Sequence, residues 1–253
     1  MRSLFFAALV ASTALAGVAQ ASVVVGNYGT LGPDGVVTAP PGGSSYGYVS
    51  TSGGVTGAGQ ITGVGGTDGS SFQSDPFAAG IGDVLRFQFN YVTSDGSGFA
   101  DYGWAELRDD SDDSHEAWLF TGRTQPTGDI APGFGLPSLD ATLVPATSAI
   151  IPGGPIWSAL GGNSGACFNG FGNGCGYTGW IESVYTITAA GNYTLNFGVS
   201  NWDDTAFDSG LAFAGAKIGD TSIDVGDAIP EPASMALLGA GLLGLAASRR
   251  RRG

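Results

Sequence analysis

Two oxygen-rich stretches contain the side chains of this sequence that are best suited to bind a hard cation. Asn201, Asp203, Asp204 and Asp208 lie within eight residues of one another, and a second acidic run occupies residues 109–116. Ca²⁺ takes six to eight oxygen ligands, several of them from one loop, so both stretches are candidate calcium sites. Neither has the spacing of an EF-hand loop. The alternative is that these Asn and Asp residues form solvated turns, for which they are equally suited.

Two short patterns resemble catalytic motifs, but each lies in the wrong context. Residues 43–47 fit G-x-S-x-G, yet no apolar strand precedes them and no helix is predicted after them. Residues 174–179 fit G-x-G-x-x-G, but a strand is predicted where a dinucleotide fold needs a helix. The single histidine, His115, has no evident partner for acid–base chemistry. We therefore predict that the protein is not an enzyme, with no catalytic residue and no cofactor other than a candidate Ca²⁺.

The five tryptophans divide according to their predicted position. Trp104, Trp118 and Trp180 lie inside predicted strands and are expected in or near the core, whereas Trp157 and Trp202 lie in loops or at strand ends. An exposed indole can stack on a sugar ring, so Trp157 and Trp202 are candidate sugar-binding residues. An aromatic platform beside polar side chains on one sheet face would favour a carbohydrate-binding module. Two carboxylates about 5 to 9 Å apart across a cleft would favour a glycoside hydrolase.

The two cysteines, Cys167 and Cys175, bracket a loop rich in Gly and Asn. In an exported chain this arrangement predicts a local disulfide, because the compartment is oxidising. Two thiols without a second pair or a nearby histidine are too few for structural zinc.

The charge of the chain between its two apolar ends is strongly negative. Residues 22–228 contain 21 of the 22 acidic residues and four of the nine basic residues, a formal charge of −17. Phosphate binding needs a basic face, so nucleic acid is not an expected partner. Low charge density with much Gly, Ser, Thr and Asn is typical of a secreted surface protein.

The N-terminal segment has the three parts of a secretory signal peptide. Arg2 supplies a positive start, residues 4–16 are apolar, and Ala19 and Ala21 form a small-x-small cleavage site. Cleavage by signal peptidase after Ala21 would make Ser22 the mature N-terminus.

The C-terminal segment has a different three-part pattern. Pro230, Glu231 and Pro232 precede the apolar run 233–247, which is followed by Ser248 and four arginines, Arg249, Arg250, Arg251 and Arg252. The prolines predict an extended, accessible hinge. As a helix the apolar run would rise roughly 22 Å, a short span for a hydrocarbon core of about 30 Å. The arginines are expected on the cytoplasmic side, which leaves the rest of the chain outside.

This tripartite end resembles the PEP-CTERM sorting signal of Gram-negative bacteria. The resemblance implies that an exosortase reads and cleaves the tail. It also implies a precursor held in the inner membrane with its body periplasmic, and a mature form at the cell surface or in the extracellular matrix, where such proteins accompany exopolysaccharide.

Alternating apolar and polar residues predict strands through most of the remaining chain. The clearest run places Leu85, Phe87, Phe89 and Tyr91 on one face. Residues 180–188 and 193–200 flank a four-residue connection with turn chemistry, so they are expected to pair as an antiparallel hairpin. No helical stripe of ten or more residues is evident. The pattern predicts an all-β fold, an antiparallel, jelly-roll-like β-sandwich, with a cleaved N-terminal signal helix and a short C-terminal transmembrane helix.

Residues 180–218 resemble the closing half of the β-sandwich domains called choice-of-anchor domains. This resemblance implies a surface-domain architecture and no activity. We expect four segments: a signal peptide (1–21), a Gly/Ser-rich N-terminal part of the body (22–80), a sandwich core (81–228) and a sorting signal (229–253). The expected function is that of an exported, non-enzymatic surface or matrix protein, and the alternative is a carbohydrate- or calcium-binding module.

Overall fold

The computed structural model describes residues 22–168 and 174–226. The expected signal peptide and signal helix, the PEP motif, the transmembrane helix and the arginine tail all lie outside these residues. Within them, no helix is long and apolar enough to span a membrane.

The described residues form strands with only two short 3₁₀ segments, Ser97–Phe99 and Ser158–Asn163. In chain order the strands are β1 (Val23–Val25), β2 (Asn27–Leu31), β3 (Tyr46–Ser50), β4 (Val55–Thr56), β5 (Asp68–Gln73), β6 (Phe77–Ala79), β7 (Val84–Thr93), β8 (Tyr102–Asp109), β9 (His115–Arg123), β10 (Asp129–Ala131), β11 (Thr142–Val144), β12 (Ser148–Ala149), β13 (Ile151–Pro152), β14 (Gly176–Tyr177), β15 (Ile181–Thr186), β16 (Gly191–Ser200), β17 (Ser209–Ile218) and β18 (Thr221–Ser222).

Two antiparallel sheets contain nearly all of these strands. The seven-stranded sheet has the order β1-β5-β16-β8-β9, with β4 paired to β5 and β6 paired to β16. The nine-stranded sheet has the order β11-β15-β7-β17-β3-β2, with β14 paired to β7, β13 paired to β14 and β18 paired to β17. The predicted all-β, antiparallel sandwich is confirmed at this level, while its jelly-roll connectivity stays a prediction.

The inner faces of the two sheets form one large apolar core. Leu85, Phe87, Phe89 and Tyr91 of β7 are all buried in it, as their alternation predicted. Aromatic rings stack between the sheets: Phe197 of β16 lies 4.0 Å from Phe213 of β17, centroid to centroid. Such pairs contribute roughly 0.5 to 1.5 kcal/mol each beyond their buried area, so these stacks help to hold one sheet against the other.

Loops cover part of each outer face. On the nine-stranded sheet, a second apolar cluster is built around Tyr46, Trp157 and Leu160. On the seven-stranded sheet, a smaller cluster contains Ile61, Tyr102 and Trp104. The remainder of each outer face is therefore the part of the sheets that a ligand could reach.

The predicted hairpin between residues 180–188 and 193–200 is wrong. Strand β15 pairs with β7 and β11 in one sheet, whereas β16 pairs with β5, β6 and β8 in the other. Sheets pack about 10 Å apart, and the connection 187–190 is long enough to carry the chain across that distance. Turn-forming residues therefore mark a change of sheet here.

Residues 22–80 are integral to the sandwich. Strand β3 pairs with β17 in the nine-stranded sheet, and β5 pairs with β16 in the seven-stranded sheet. The Gly/Ser-rich part and the following part thus share one core.

Candidate functional site

Three connections meet at one end of the sandwich, which we call the loop end: residues 51–67, 94–101 and 201–208. Backbone hydrogen bonds join them, from Thr67 N–H to the Asn201 carbonyl and from Ser94 N–H to the Asp208 carbonyl. The Trp202 N–H donates to Asp101 Oδ1 at 2.9 Å. The loop end is therefore a connected polar structure at the ends of β3, β7 and β16.

Two aspartates of the loop end are buried. Asp101 is 0% exposed and accepts a hydrogen bond from the Ser209 hydroxyl at 2.6 Å. Asp95 is 1% exposed; its Oδ1 accepts the Gly96 N–H at 2.6 Å, and its Oδ2 is buried without a hydrogen-bond partner. Sequence reasoning missed Asp95, because nothing in its spacing distinguishes it from a loop aspartate.

Burial changes the acidity of both groups. Loss of water raises the pKa of Asp95 to about 7, and the nearby Asp204 carboxylate adds to the rise. Loss of water likewise raises the pKa of Asp101 well above its ordinary value, and the like charge of Asp95 adds to the rise. Burial at the loop end thus favours the protonated forms of Asp95 and Asp101.

The four candidate calcium ligands make separate contacts. The Asn201 amide donates to Asp68 Oδ1 at 3.0 Å, Asp204 Oδ1 accepts the Ala206 N–H at 2.9 Å, and Asp208 Oδ1 accepts the Thr51 hydroxyl at 3.2 Å. Asp203 is exposed, with φ of 77°. Among the residues that the structure describes, no three His, Cys, Asp or Glu side chains are grouped to hold a metal. Calcium at this turn stays a prediction that these contacts do not support.

The acidic run 109–116 contains the connection between β8 and β9, together with the last residue of β8 and the first two residues of β9. Asp109 Oδ1 accepts hydrogen bonds from the Ser111 N–H and hydroxyl, and these bonds lower the Asp109 pKa. Asp112 Oδ1 accepts the Ser114 N–H at 3.1 Å. The carboxylates therefore stabilise the turn itself, which is the alternative to calcium binding that the sequence left open.

The predicted disulfide between Cys167 and Cys175 is confirmed, with 5.3 Å between the two Cα atoms. Cys175 is buried, and the N–H of Phe168, the residue after Cys167, donates to the Ser94 carbonyl at 2.8 Å. Phe168 also contacts the rings of Phe99 and Phe207. The bridge consequently anchors its segment against the loop end.

The expectation that Trp157 binds sugar is wrong, because its side chain is completely buried. Its Nε1 donates to the Tyr46 hydroxyl at 3.0 Å, and Tyr48 packs edge-on against it at 5.8 Å. A Cβ atom at Gly210 would lie 2.6 Å from the indole, so the ring rests directly on the sheet. The loop that carries Trp157 folds back as a cover for the sheet, and its indole faces are not available to a ligand.

The burial of the other four tryptophans is closer to what the sequence predicted. Trp202 is half-buried, and the guanidinium of Arg123 lies 4.8 Å from its ring centroid. That face of the indole is already occupied by a cation–π contact. Trp104 is buried, while Trp118 and Trp180 are half-buried.

A groove of about 500 Å³ lies on the nine-stranded sheet. Its floor includes Arg86, Gln88, Glu182 and Lys217, and Arg86 pairs with Glu182 at 3.5 Å. Glu182 is the one carboxylate that lines it. This groove therefore does not present the facing carboxylate pair that a glycoside hydrolase requires.

The two ends of the described body lie close together. Ser22 and Gly226 line the same small cavity, together with Tyr28, Phe72 and Asp75. The segment expected to carry the signal peptide and the segment that carries the tail thus leave the body from one place.

Residues 228–252 match the PEP-CTERM protein-sorting motif. No curated protein and no solved structure matches the chain. The match begins two residues after Gly226, the last residue of the described body. PEP-CTERM domains are processed by an exosortase, so the match implies an exported, envelope-associated protein with an exosortase as its processing partner. The choice-of-anchor resemblance has no such support.

Proposed function

We propose that this chain is an exported, non-catalytic surface or matrix protein. Signal peptidase removes its N-terminal signal peptide, and an exosortase then cleaves its C-terminal sorting tail. The observation that carries the proposal is the sorting motif at residues 228–252, directly after the folded body. In this proposal Ala19 and Ala21 direct the first cleavage, and Pro230, Glu231 and Pro232 direct the second.

The position of the body's two ends is compatible with a precursor that has a membrane segment at each end. Because Ser22 and Gly226 line one cavity, the precursor would hang from the inner membrane with both membrane segments on the same side of the sandwich. After the first cleavage, the tail alone would hold the protein in the membrane, and the arginines Arg249 to Arg252 would keep its end cytoplasmic.

The length of the linker limits where the exosortase can work. Pro232 lies six positions after Gly226, and an extended chain spans at most about 3.6 Å per residue, roughly 22 Å in total. The enzyme would therefore have to approach the side of the sandwich that holds Tyr28 and Asp75.

A non-catalytic body is proposed because the catalytic patterns do not come together. The G-x-S-x-G serine, Ser45, lines the groove on the nine-stranded sheet, whereas His115 begins β9 in the seven-stranded sheet. The G-x-G-x-x-G match contains strand β14 and leads to strand β15. Association with exopolysaccharide outside the cell completes the proposal.

Mass spectrometry of both ends of the native protein, combined with cell fractionation, tests this function. We expect a mature start at Ser22 and a C-terminus at or near residues 230–232. Glu231→Ala, or deletion of Arg249 to Arg252, should leave unprocessed precursor in the membrane fraction. Glu116→Ala, a matched change on the body surface, should be processed normally. Intact Met1 on exported chains, or normal processing of both tail variants, would contradict the proposal.

A further inference from the structure

The outer face of the seven-stranded sheet has an aromatic and polar surface beside the β8–β9 connection. Ala105 and Leu107 of β8 and Leu195 and Phe197 of β16 point into the core. Their neighbours along the strands therefore point outward, since side chains alternate in a strand. These outward residues include Glu106 and Arg108, which lie opposite Trp118 and His115 of β9.

The aromatic part of this surface is supported from below. Trp104 donates its Nε1–H to the Gly59 carbonyl at 2.7 Å and is only 6% exposed. A Cβ atom at Gly198 would lie 2.3 Å from its indole, so Trp104 lies flat on the sheet. Trp118 packs edge-on against it at 5.9 Å, and the His115 ring lies 5.0 Å from Trp118. Trp118 and His115 thus form an aromatic pair backed by the buried, hydrogen-bonded ring of Trp104.

The polar part is held by one buried carboxylate. Only 3% of the Glu106 side chain is exposed; its Oε1 contacts His115 Nδ1 at 2.6 Å, and its Oε2 accepts from Arg108 Nε at 2.9 Å. Arg108 also pairs with Asp113 at 3.0 Å. The His115 side chain is 44% exposed and that of Arg108 is 32% exposed. Glu106 therefore orients two partly exposed donor groups beside the aromatic pair.

We propose that Trp118, His115, Glu106 and Arg108 form a binding surface for a neutral polysaccharide. A pyranose ring has an apolar face that packs on an aromatic ring and an edge of hydroxyl groups that need fixed donors and acceptors. Trp118 and His115 provide the aromatic rings, and Arg108, His115 and Asp113 provide the fixed donors and acceptors.

Charge selects the neutral class of sugar. The surface holds one arginine against the carboxylates Glu106 and Asp113, within a body of formal charge −17. A uronate-rich chain would meet net repulsion here. This inference rests on the proposed surface function, which it deepens by naming the ligand class, and it places the ligand away from Trp157 and Trp202.

Titration calorimetry on the full chain tests the proposal, in a detergent without a sugar head group. The probes are cellohexaose, mannohexaose and xylohexaose as neutral oligosaccharides, and a galacturonate hexamer as the acidic comparison. We expect at least one neutral probe to bind more tightly than the acidic one. Trp118→Ala should weaken that binding about tenfold or more, as for truncation of a central aromatic contact.

His115→Ala serves as a second variant, because its exposed side chain can be removed with less risk to folding. It should weaken binding about threefold to tenfold. Trp180→Ala, a half-buried tryptophan on the nine-stranded sheet, should leave affinity unchanged. Absence of binding to every neutral probe, stronger binding of the galacturonate, or affinity unchanged in both Trp118→Ala and His115→Ala would overturn the proposal. Because binding is measured on purified protein, a failure of sorting in cells would leave this result standing.

Discussion

The loop end and the outer face of the seven-stranded sheet each bury a carboxylate but surround it differently. Asp95 at the loop end accepts one backbone N–H, has one unpartnered oxygen and faces a second acid, Asp204. Glu106 on the outer face has a cationic or imidazole partner on each oxygen. A buried carboxylate without a counter-charge is stable mainly as the neutral acid, whereas a partnered one can remain charged and orient its partners.

The largest expected effect is a fall in stability of the folded body as pH rises. The Asp95 pKa is about 7 in the fold against an ordinary 3.8, so the folded state keeps a proton that the unfolded chain has lost. This contribution is complete below about pH 4 and is lost as pH rises to about 7. At about 1.4 kcal/mol per pKa unit, the loss from Asp95 is at most roughly 4 kcal/mol.

Thermal melts of the chain from pH 4 to pH 8 measure this slope. Asp95→Asn should flatten it, because the amide does not titrate, and the raised pKa of Asp101 should leave a residual slope of the same sign. Melting temperatures that rise steadily between pH 4 and pH 8 would show that Asp95 and Asp101 do not control the stability of the loop end.

Reduction of the Cys167–Cys175 bridge should have the next largest effect. A loop of this length contributes roughly 2 to 3 kcal/mol by restricting the unfolded chain. Because the Phe168 N–H is hydrogen-bonded to the carbonyl of Ser94, the residue before Asp95, loss of the bridge should also loosen the surroundings of Asp95 and reduce the pH slope.

Urea unfolding with and without reductant, at pH 5 and pH 8, separates these two effects. Cys167→Ser/Cys175→Ser should reproduce the reduced protein and should not respond to reductant. If reduction lowers stability equally at both pH values, the bridge does not protect the environment of Asp95.

The smallest effect gives the sharpest comparison, since the same chemical change should act with opposite sign at the two carboxylates. At pH 8, Asp95→Asn removes a charge that burial disfavours and should raise the free energy of unfolding by about 1 kcal/mol or more. Glu106→Gln removes the charge that holds Arg108 and His115 and should lower it by roughly 1 to 2 kcal/mol.

Chemical denaturation of the two variants at pH 8 checks both signs, with Glu116→Gln as an amide replacement at a partly exposed strand position. Effects of equal sign for Asp95→Asn and Glu106→Gln would mean that burial alone, and not the partners, decides the energy of each carboxylate.

Sequence pattern predicted the strands well where one face of a strand is apolar. The alternation in β7 placed Leu85, Phe87, Phe89 and Tyr91 correctly, because side chains of a strand must alternate between core and exterior. The cysteine spacing likewise predicted the disulfide.

The candidate surfaces were less accessible to sequence reasoning. The pairing of β8 with β9 shifts register twice, between Ala105 and Glu106 and between Leu107 and Arg108. Spacing along the chain therefore could not place Glu106 against Trp118 and His115. The available clue was that Arg108 directly precedes the acidic run 109–116 and that His115 lies within it.

The sequence by itself determined the sorting motif at residues 228–252 and the alternation of apolar and polar residues in strands such as β7. A sorting motif is a linear segment, so its residues carry the information without a fold, and strand periodicity is a local property of the backbone. The tertiary structure decided which side chains meet. It buried Trp157, sent β15 and β16 to different sheets, left Asp95 without a counter-charge and gave Glu106 two partners, because each of these outcomes depends on contacts between segments far apart in the chain.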